Sequence, residues 1–185
     1  MFSDQDLAVM DSIIKRYPRS RSAIMPLLHY AQSKAGYVTN EGIELIAKLL
    51  TIETAEVSAV ATFYTQYKRK PVGEYHVGVC TNTLCAVMGG DAIFAGLKEH
   101  LGIENDGVTA DGKVSLEHIE CNAACDYAPV VMANWEFYDN QTVQSSKDLV
   151  DSMRQGNPTP PTRGPKSLPT WKENSAVLAG INDGR

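Results

Sequence analysis

The stretch "KVSLEHIECNAACDYAPVVMANW", Lys113 to Trp135, runs an alternating apolar pattern into a pair of cysteines and then into a second apolar run. Val114, Leu116 and His118 alternate with polar neighbours, the period of a half-buried strand, and that strand stops at Cys121. Three residues separate Cys121 from Cys125, and Ala128-Pro129 reads as the turn into the next strand. Upstream, "EYHVGVCTNTLC", Glu74 to Cys85, has the same order: Tyr75, Val77 and Val79 alternate, the strand stops at Cys80, and four residues precede Cys85. Between the two, "GGDAIFAGLKEHLG" has helical spacing. Beyond them, "PVVMANW" and "EFYDNQTVQ" read as a hairpin turning between Asn134 and Asn140, followed by a helix from about Ser146 to Arg154. Strand, cysteine loop, helix, strand, cysteine loop and hairpin predict a compact α/β sandwich with a mixed sheet.

The pattern before this segment is helical. Ser3 is a candidate N-cap for a helix carrying Leu7, Met10, Ile13 and Ile14 that stops near Pro18, and "AIMPLLHYAQSKAG" ends on Gly36 as a C-cap. Thr39 can cap "NEGIELIAKLL", and "TIETAEVSAVATFYTQY" supplies a fourth helix with Val57, Val60 and Phe63 on or near one face. The expectation is an α+β chain with an N-terminal four-helix bundle over residues 1–72 and the α/β domain over 73–155. From Gly156, five of the nine prolines fall in "GNPTPPTRGPKSLPT", a composition that buries little apolar surface. Residues 156–185 read as a tail that orders on a partner.

With 43% apolar and 21% charged residues, the chain has the composition of a soluble folded protein. The start, "MFSDQDLAVM", shows no signal-peptide pattern, and no apolar run approaches the roughly 18 residues of a membrane span, so a cytoplasmic location is expected. Cys80 to Asp126 holds eight Asp or Glu against Lys98 and Lys113, a net -6. A nucleic-acid surface needs the opposite sign, and the helix "ETAEVSAVATFY" has no Lys or Arg to reach bases or phosphates.

In a reducing compartment, paired cysteines serve metals or catalysis more often than disulfides. A redox dithiol would use Cys-x-x-Cys, which neither pair has. Four thiolates suit a structural zinc ion or a [2Fe-2S] cluster with two sulfurs on each iron, and spacing alone admits both. The residues around the sulfurs, among them Thr81, Asn82, Thr83, Gly89, Gly90, Asn122 and Ala123, are small or polar, so backbone N-H groups can approach sulfur closely. With Glu120 and Asp126 adjoining two cysteines and no nearby Lys or Arg in sequence, a cluster here would have a low reduction potential. His29, His76, His100 and His118 fall inside helix or strand patterns and read as structural, as do Tyr64, Tyr67, Trp135 and Phe137. No Gly-x-Gly-x-x-Gly turn, Walker-type loop or nucleophile-base set is present.

Cys-x4-Cys, 35 residues, then Cys-x3-Cys-x-x-Ala-Pro, preceded by "VSAVATFYTQY", resembles the 24 kDa-type (E) subunit family of NADH-quinone oxidoreductase, respiratory complex I, over residues 10–155. The resemblance implies a thioredoxin-like ferredoxin domain with one [2Fe-2S] cluster, and it implies Cys80, Cys85, Cys121 and Cys125 as the four ligands. It further implies a partner subunit carrying FMN and the NADH site, and a place peripheral to the inner membrane through the complex. Related subunits of NAD-linked formate dehydrogenases and hydrogenases share the motif. Ala123 departs from the family's usual Gly, so an unusual backbone angle there would cost more.

Overall fold

The computed structural model describes residues 2–181. The backbone forms two compact units, one made of the residues up to Pro71 together with those from Lys172, the other of Val72–Trp171.

In the first unit, α1 (Asp4–Ile14) begins with a reciprocal cap: Ser3 Oγ accepts the Asp6 N-H at 3.2 Å, and the Asp6 carboxylate accepts the Ser3 N-H at 2.9 Å. Next, α2 (Ile24–Ala35) ends on Gly36 at φ 85°, where glycine enters the left-handed region without a Cβ clash. The Thr39 hydroxyl caps α3 (Asn40–Leu50), accepting the Gly42 N-H at 3.0 Å. The fourth helix, α4 (Thr54–Phe63), is shorter than its sequence pattern, because the backbone turns extended at Tyr64. Phe63 is consequently 78% exposed instead of joining the apolar face with Val57. The four helices share a core of Met10, Ile13, Leu27, Leu28, Ile46 and Val57. Buried Gln32 donates to the Gln66 carbonyl at 3.1 Å and to Ser175 Oγ at 3.2 Å, and accepts the Lys68 N-H at 2.8 Å. Satisfying both ends of the amide makes its burial tolerable.

The second unit contains β1 (Tyr75–Cys80), α5 (Thr83–Val87), α6 (Gly90–Leu101), β2 (Gly107–Val108), β3 (Val114–Ile119), β4 (Val131–Ala133), β5 (Glu136–Tyr138) and α7 (Val143–Arg154). The sheet order is β2-β3-β1-β4-β5. It is mixed: β1 is parallel to β3 and antiparallel to β4. Two-residue β2, absent from the sequence reading, adds an antiparallel edge to β3. The expected hairpin turns at Asn134 (φ 47°) and Trp135 (φ 68°), both left-handed, as a two-residue connection requires. One sheet face presents Val77, Val79, Leu116 and Val131 to Ile93 and Leu97 of α6 and to Leu149, Val150 and Met153 of α7. The opposite face carries Cys80, Ile119 and Met132 with half-buried Trp135 and Phe137. His76, also on that face by strand alternation, places Nδ1 2.9 Å from Ser115 Oγ and Nε2 2.8 Å from Glu117 Oε2.

The Pro-rich segment does not project from the chain. Leu168 joins the core of the second unit, and Trp171, which opens α8 (Trp171–Leu178), is 2% exposed. Its N-H donates to the Glu74 carbonyl at 2.8 Å, while Ala179 is buried in the helical core of the first unit. Leu168, Trp171 and Ala179 of this segment are therefore buried, while Leu178 is 41% exposed; residues 182–185 of the expected tail lie outside the described residues.

Candidate metal centre

The parallel register determines where the sulfurs meet. Cys80, the last residue of β1, pairs with Ile119, the last of β3, so Cys121 lies two residues beyond its neighbour at the same end of the sheet. After Cys80 the chain turns at once into α5, which carries Cys85, and then into α6. The junction is tight: a Cβ on Gly90 would lie 2.5 Å from the Cys80 carbonyl oxygen and 2.9 Å from that of Cys85. Only a residue without a side chain lets α6 begin so close under the first loop. In the second loop, a 3-10 turn from Cys125 to Tyr127 follows Ala124 and leads to the cis Ala128-Pro129 bond and β4. Asn82 Nδ2 donates to Glu120 Oε2 at 3.2 Å, joining the two loops.

All four cysteines line one pocket of about 400 Å³, with Asn82, Thr83, Leu84 and Val87. Cys80 and Cys85 are buried, and Cys121 and Cys125 are exposed. Cys121 Sγ lies 3.8 Å from Cys125 Sγ and 3.4 Å from the Ala123 N-H. None of the four histidines lines the pocket: His76 is held by Ser115 and Glu117, His100 lies 2.8 Å from Asp151, His29 is buried in the helical unit and His118 is exposed. Among the described residues, no group of three or more His, Cys, Asp or Glu stands close enough together to hold a metal ion.

Burial pushes the Cys80 thiol up to about 11, with Cys85 and Cys121 beside it acting in the same direction against the Asn82 backbone N-H. Cys125 is also raised, chiefly by its neighbour Cys121. Four thiolates gathered in one pocket would call for compensating positive charge. A cationic iron-sulfur core meets that need and expels the thiol protons as it binds. In donor type and number, four thiols lining one pocket, the site fits such a group.

Ala123 adopts φ 55°, the left-handed region that favours glycine. Its N-H points at Cys121 Sγ, so the strained angle aims a donor at sulfur. Ala123→Gly is expected to stabilise the chain by about 1 kcal/mol, since the Cβ penalty of this region disappears. A lower urea midpoint for the variant would contradict this account of the loop.

Residues 10–154 match the family described as thioredoxin-like [2Fe-2S] ferredoxin. The chain belongs to this family. Within it, the E subunit of NADH-quinone oxidoreductase from Mycobacterium tuberculosis (strain ATCC 25618 / H37Rv) is 61% identical over 173 residues, covering 94% of this chain and 68% of that protein. The protein of the same name from Rickettsia bellii (strain RML369-C) is 42% identical over 156 residues, covering 83% and 93%. A chain of the NAD+-reducing [NiFe]-hydrogenase in its air-oxidised state shares the fold, with a TM-score of 0.63 at 20% identity over 77% of this chain and 25% of that one.

The sequence reading placed Gly89 and Gly90 near the sulfurs but did not identify the tight Gly90 junction, the Asn82–Glu120 link or the exposed apolar rim of this pocket. Leu84 and Val87 stand at the pocket, 43% and 81% exposed, with Met88 at 55% next along the chain and Tyr127 at 46% two residues after Cys125. The "GG" that follows the first loop was the available signal for a close backbone approach.

Proposed function

We propose that this chain is the 24 kDa-type (E) subunit of an NADH-quinone oxidoreductase, a one-electron carrier whose [2Fe-2S] cluster is held by Cys80, Cys85, Cys121 and Cys125. The single observation that carries this is the pocket lined by all four thiols, contributed by two loops at one end of a mixed sheet. The 61% identity to a subunit of that complex over 94% of the chain supports this assembly over a hydrogenase, for which the likeness is of fold alone. When bound, the cluster supplies one-electron chemistry at a low potential. The chain's own part is to hold four sulfurs, to bury Cys80 and Cys85, and to direct the Ala123 N-H at Cys121. Hydride transfer moves two electrons, so an NADH-oxidising complex needs a flavin before a one-electron carrier, and we place FMN and NADH on a partner subunit. The apolar rim of Leu84, Val87 and Met88 offers a surface for such a partner, since exposed apolar patches mark interfaces. Among the described residues, no helix is long and apolar enough to cross a membrane, in keeping with attachment through the complex. We read α1–α4 as a four-helix bundle and Val72–Trp171 as the ferredoxin domain.

Purified anaerobically, the protein is expected to be brown-red, to hold about two irons and two acid-labile sulfides per chain, and to give a rhombic EPR signal only after reduction. Cys121→Ser and Cys125→Ser are each expected to lower iron content and alter that signal, because oxygen matches this core less well than thiolate. Stoichiometric zinc without labile sulfide would overturn the assignment in favour of a zinc-stapled module. NADH oxidation is expected only when a flavoprotein partner is added.

A further inference from the structure

The two cysteine loops, residues 81–90 and 120–129, contain no Lys or Arg. A cation reaches the second loop from far along the chain. Residues 159–163 run beside β5: the Tyr138 hydroxyl donates to the Thr159 carbonyl at 2.6 Å, the Thr162 N-H donates to the Phe137 carbonyl at 2.9 Å, and Arg163 forms a bridge with Phe137. Gly164, at φ 95°, takes an angle that side chains rarely adopt. The Arg163 guanidinium then stacks 4.3 Å from the centre of the Phe137 ring and 5.4 Å from that of Tyr127. Its Nη2 donates to Asp139 Oδ1 at 2.8 Å, whose other oxygen accepts the Thr162 hydroxyl at 2.8 Å. Tyr127 ends the Cys125–Tyr127 turn, and its carbonyl accepts the Asn140 N-H at 2.8 Å. The ring of Tyr127 and the backbone after β5 are thereby fastened to the same strap.

We propose that Arg163 is a positioning residue of the cluster site, holding the Cys125–Tyr127 turn through Tyr127 and contributing positive charge beside the second cysteine loop. This rests on the assignment of the cluster to the four cysteines. A planar guanidinium can stack on two rings while keeping its carboxylate partner; a lysine ammonium supplies the charge without the stack. Positive charge near an iron-sulfur centre favours its more negative, reduced form. The two contributions are therefore separable by substitution.

The experiment compares the full chain with Arg163→Gln and Arg163→Lys. Three measurements are made: the EPR-monitored reduction midpoint, the rate of iron loss to a chelator, and amide hydrogen exchange over residues 124–128 in the metal-free chain. Arg163→Gln is expected to move the midpoint to a more negative value, to speed iron loss by about three- to tenfold, and to speed exchange in the turn. Arg163→Lys is expected to return the midpoint toward the starting value while leaving exchange fast. If Arg163→Gln folds poorly, Tyr127→Leu, which removes only the ring, is expected to speed exchange and iron loss with a smaller change in midpoint. Unchanged exchange and midpoint in Arg163→Gln, with the cluster present in the unsubstituted chain, would overturn the proposal. Absence of the cluster from the unsubstituted chain would instead overturn the ligand assignment, and exchange in the metal-free chain would still decide whether Arg163 holds the turn.

Discussion

Trp171→Ala is expected to destabilise the chain by about 3–5 kcal/mol, the range for truncating a buried large aromatic. Trp171 is 2% exposed and among the largest fully buried side chains. Its ring centre lies 5.3 Å from that of His76 and 6.3 Å from that of Trp135, over the sheet face that ends in Cys80. Its backbone N-H donates to Glu74 just ahead of β1. Removing the indole leaves a cavity beside buried His76, which is held by buried Ser115 and half-buried Glu117. A chain ending at Arg154 loses more, because Leu168 and Ala179 are buried as well. Deletion of the Pro-rich segment is therefore expected to destabilise Val72–Trp171, whereas a tail that ordered only on a partner would leave that unit unchanged. Urea unfolding followed by far-UV circular dichroism tests this; a loss below about 1 kcal/mol for Trp171→Ala would show that the site collapses around the smaller residue.

The segment's role was hidden in the sequence for a physical reason. Leu168, Trp171 and Ala179 are spaced irregularly among prolines and polar residues, and burial of that kind follows no helix or strand period. It depends on surfaces built by other elements. Alternation, by contrast, marked β1 and β3, because each has one apolar face packed on α6 and α7. Capping chemistry marked the helix ends, and Ser3, Thr39 and Gly36 all occupy the expected positions. The end of α4 was misread because "TFYTQY" continues the apolar pattern while Tyr64 leaves the helix. The four cysteines were visible as two pairs, and the helical crossover between β1 and β3 makes these strands parallel and so brings both pairs to one end of the sheet. Arg163 was invisible as a neighbour of Tyr127, since 35 residues intervene and only the strap along β5 brings them near.

Acid is expected to weaken the helical unit through His29. The residue is 5% exposed, its Nδ1 is buried without a hydrogen-bond partner, and its ring lies 4.7 Å from that of Tyr67. Burial pushes the imidazole down to about 4, against a smaller opposing contribution from Gln66. In the unfolded chain the same group takes up its proton near pH 6.5. Between these two values the unfolded state binds the extra proton and the folded state does not, so stability is intact above about pH 6.5 and falls as pH drops toward 4. At about 1.4 kcal/mol per pH unit, the loss across the window is on the order of 3 kcal/mol. Carboxylates held low by their partners, such as Asp6 beside Lys34, lose their contribution only in more acid solution, below the ordinary carboxylate value of 3.8, so the two effects are separated in pH. His29→Leu removes the titrating group and fills an apolar site. The urea midpoint of that variant is expected to change little between pH 6.5 and 4.5, while that of the unsubstituted chain falls steadily. Parallel pH profiles for the two proteins would mean that His29 is charged in the folded state or that another group governs this range, and an imidazole titration followed by NMR would distinguish those cases.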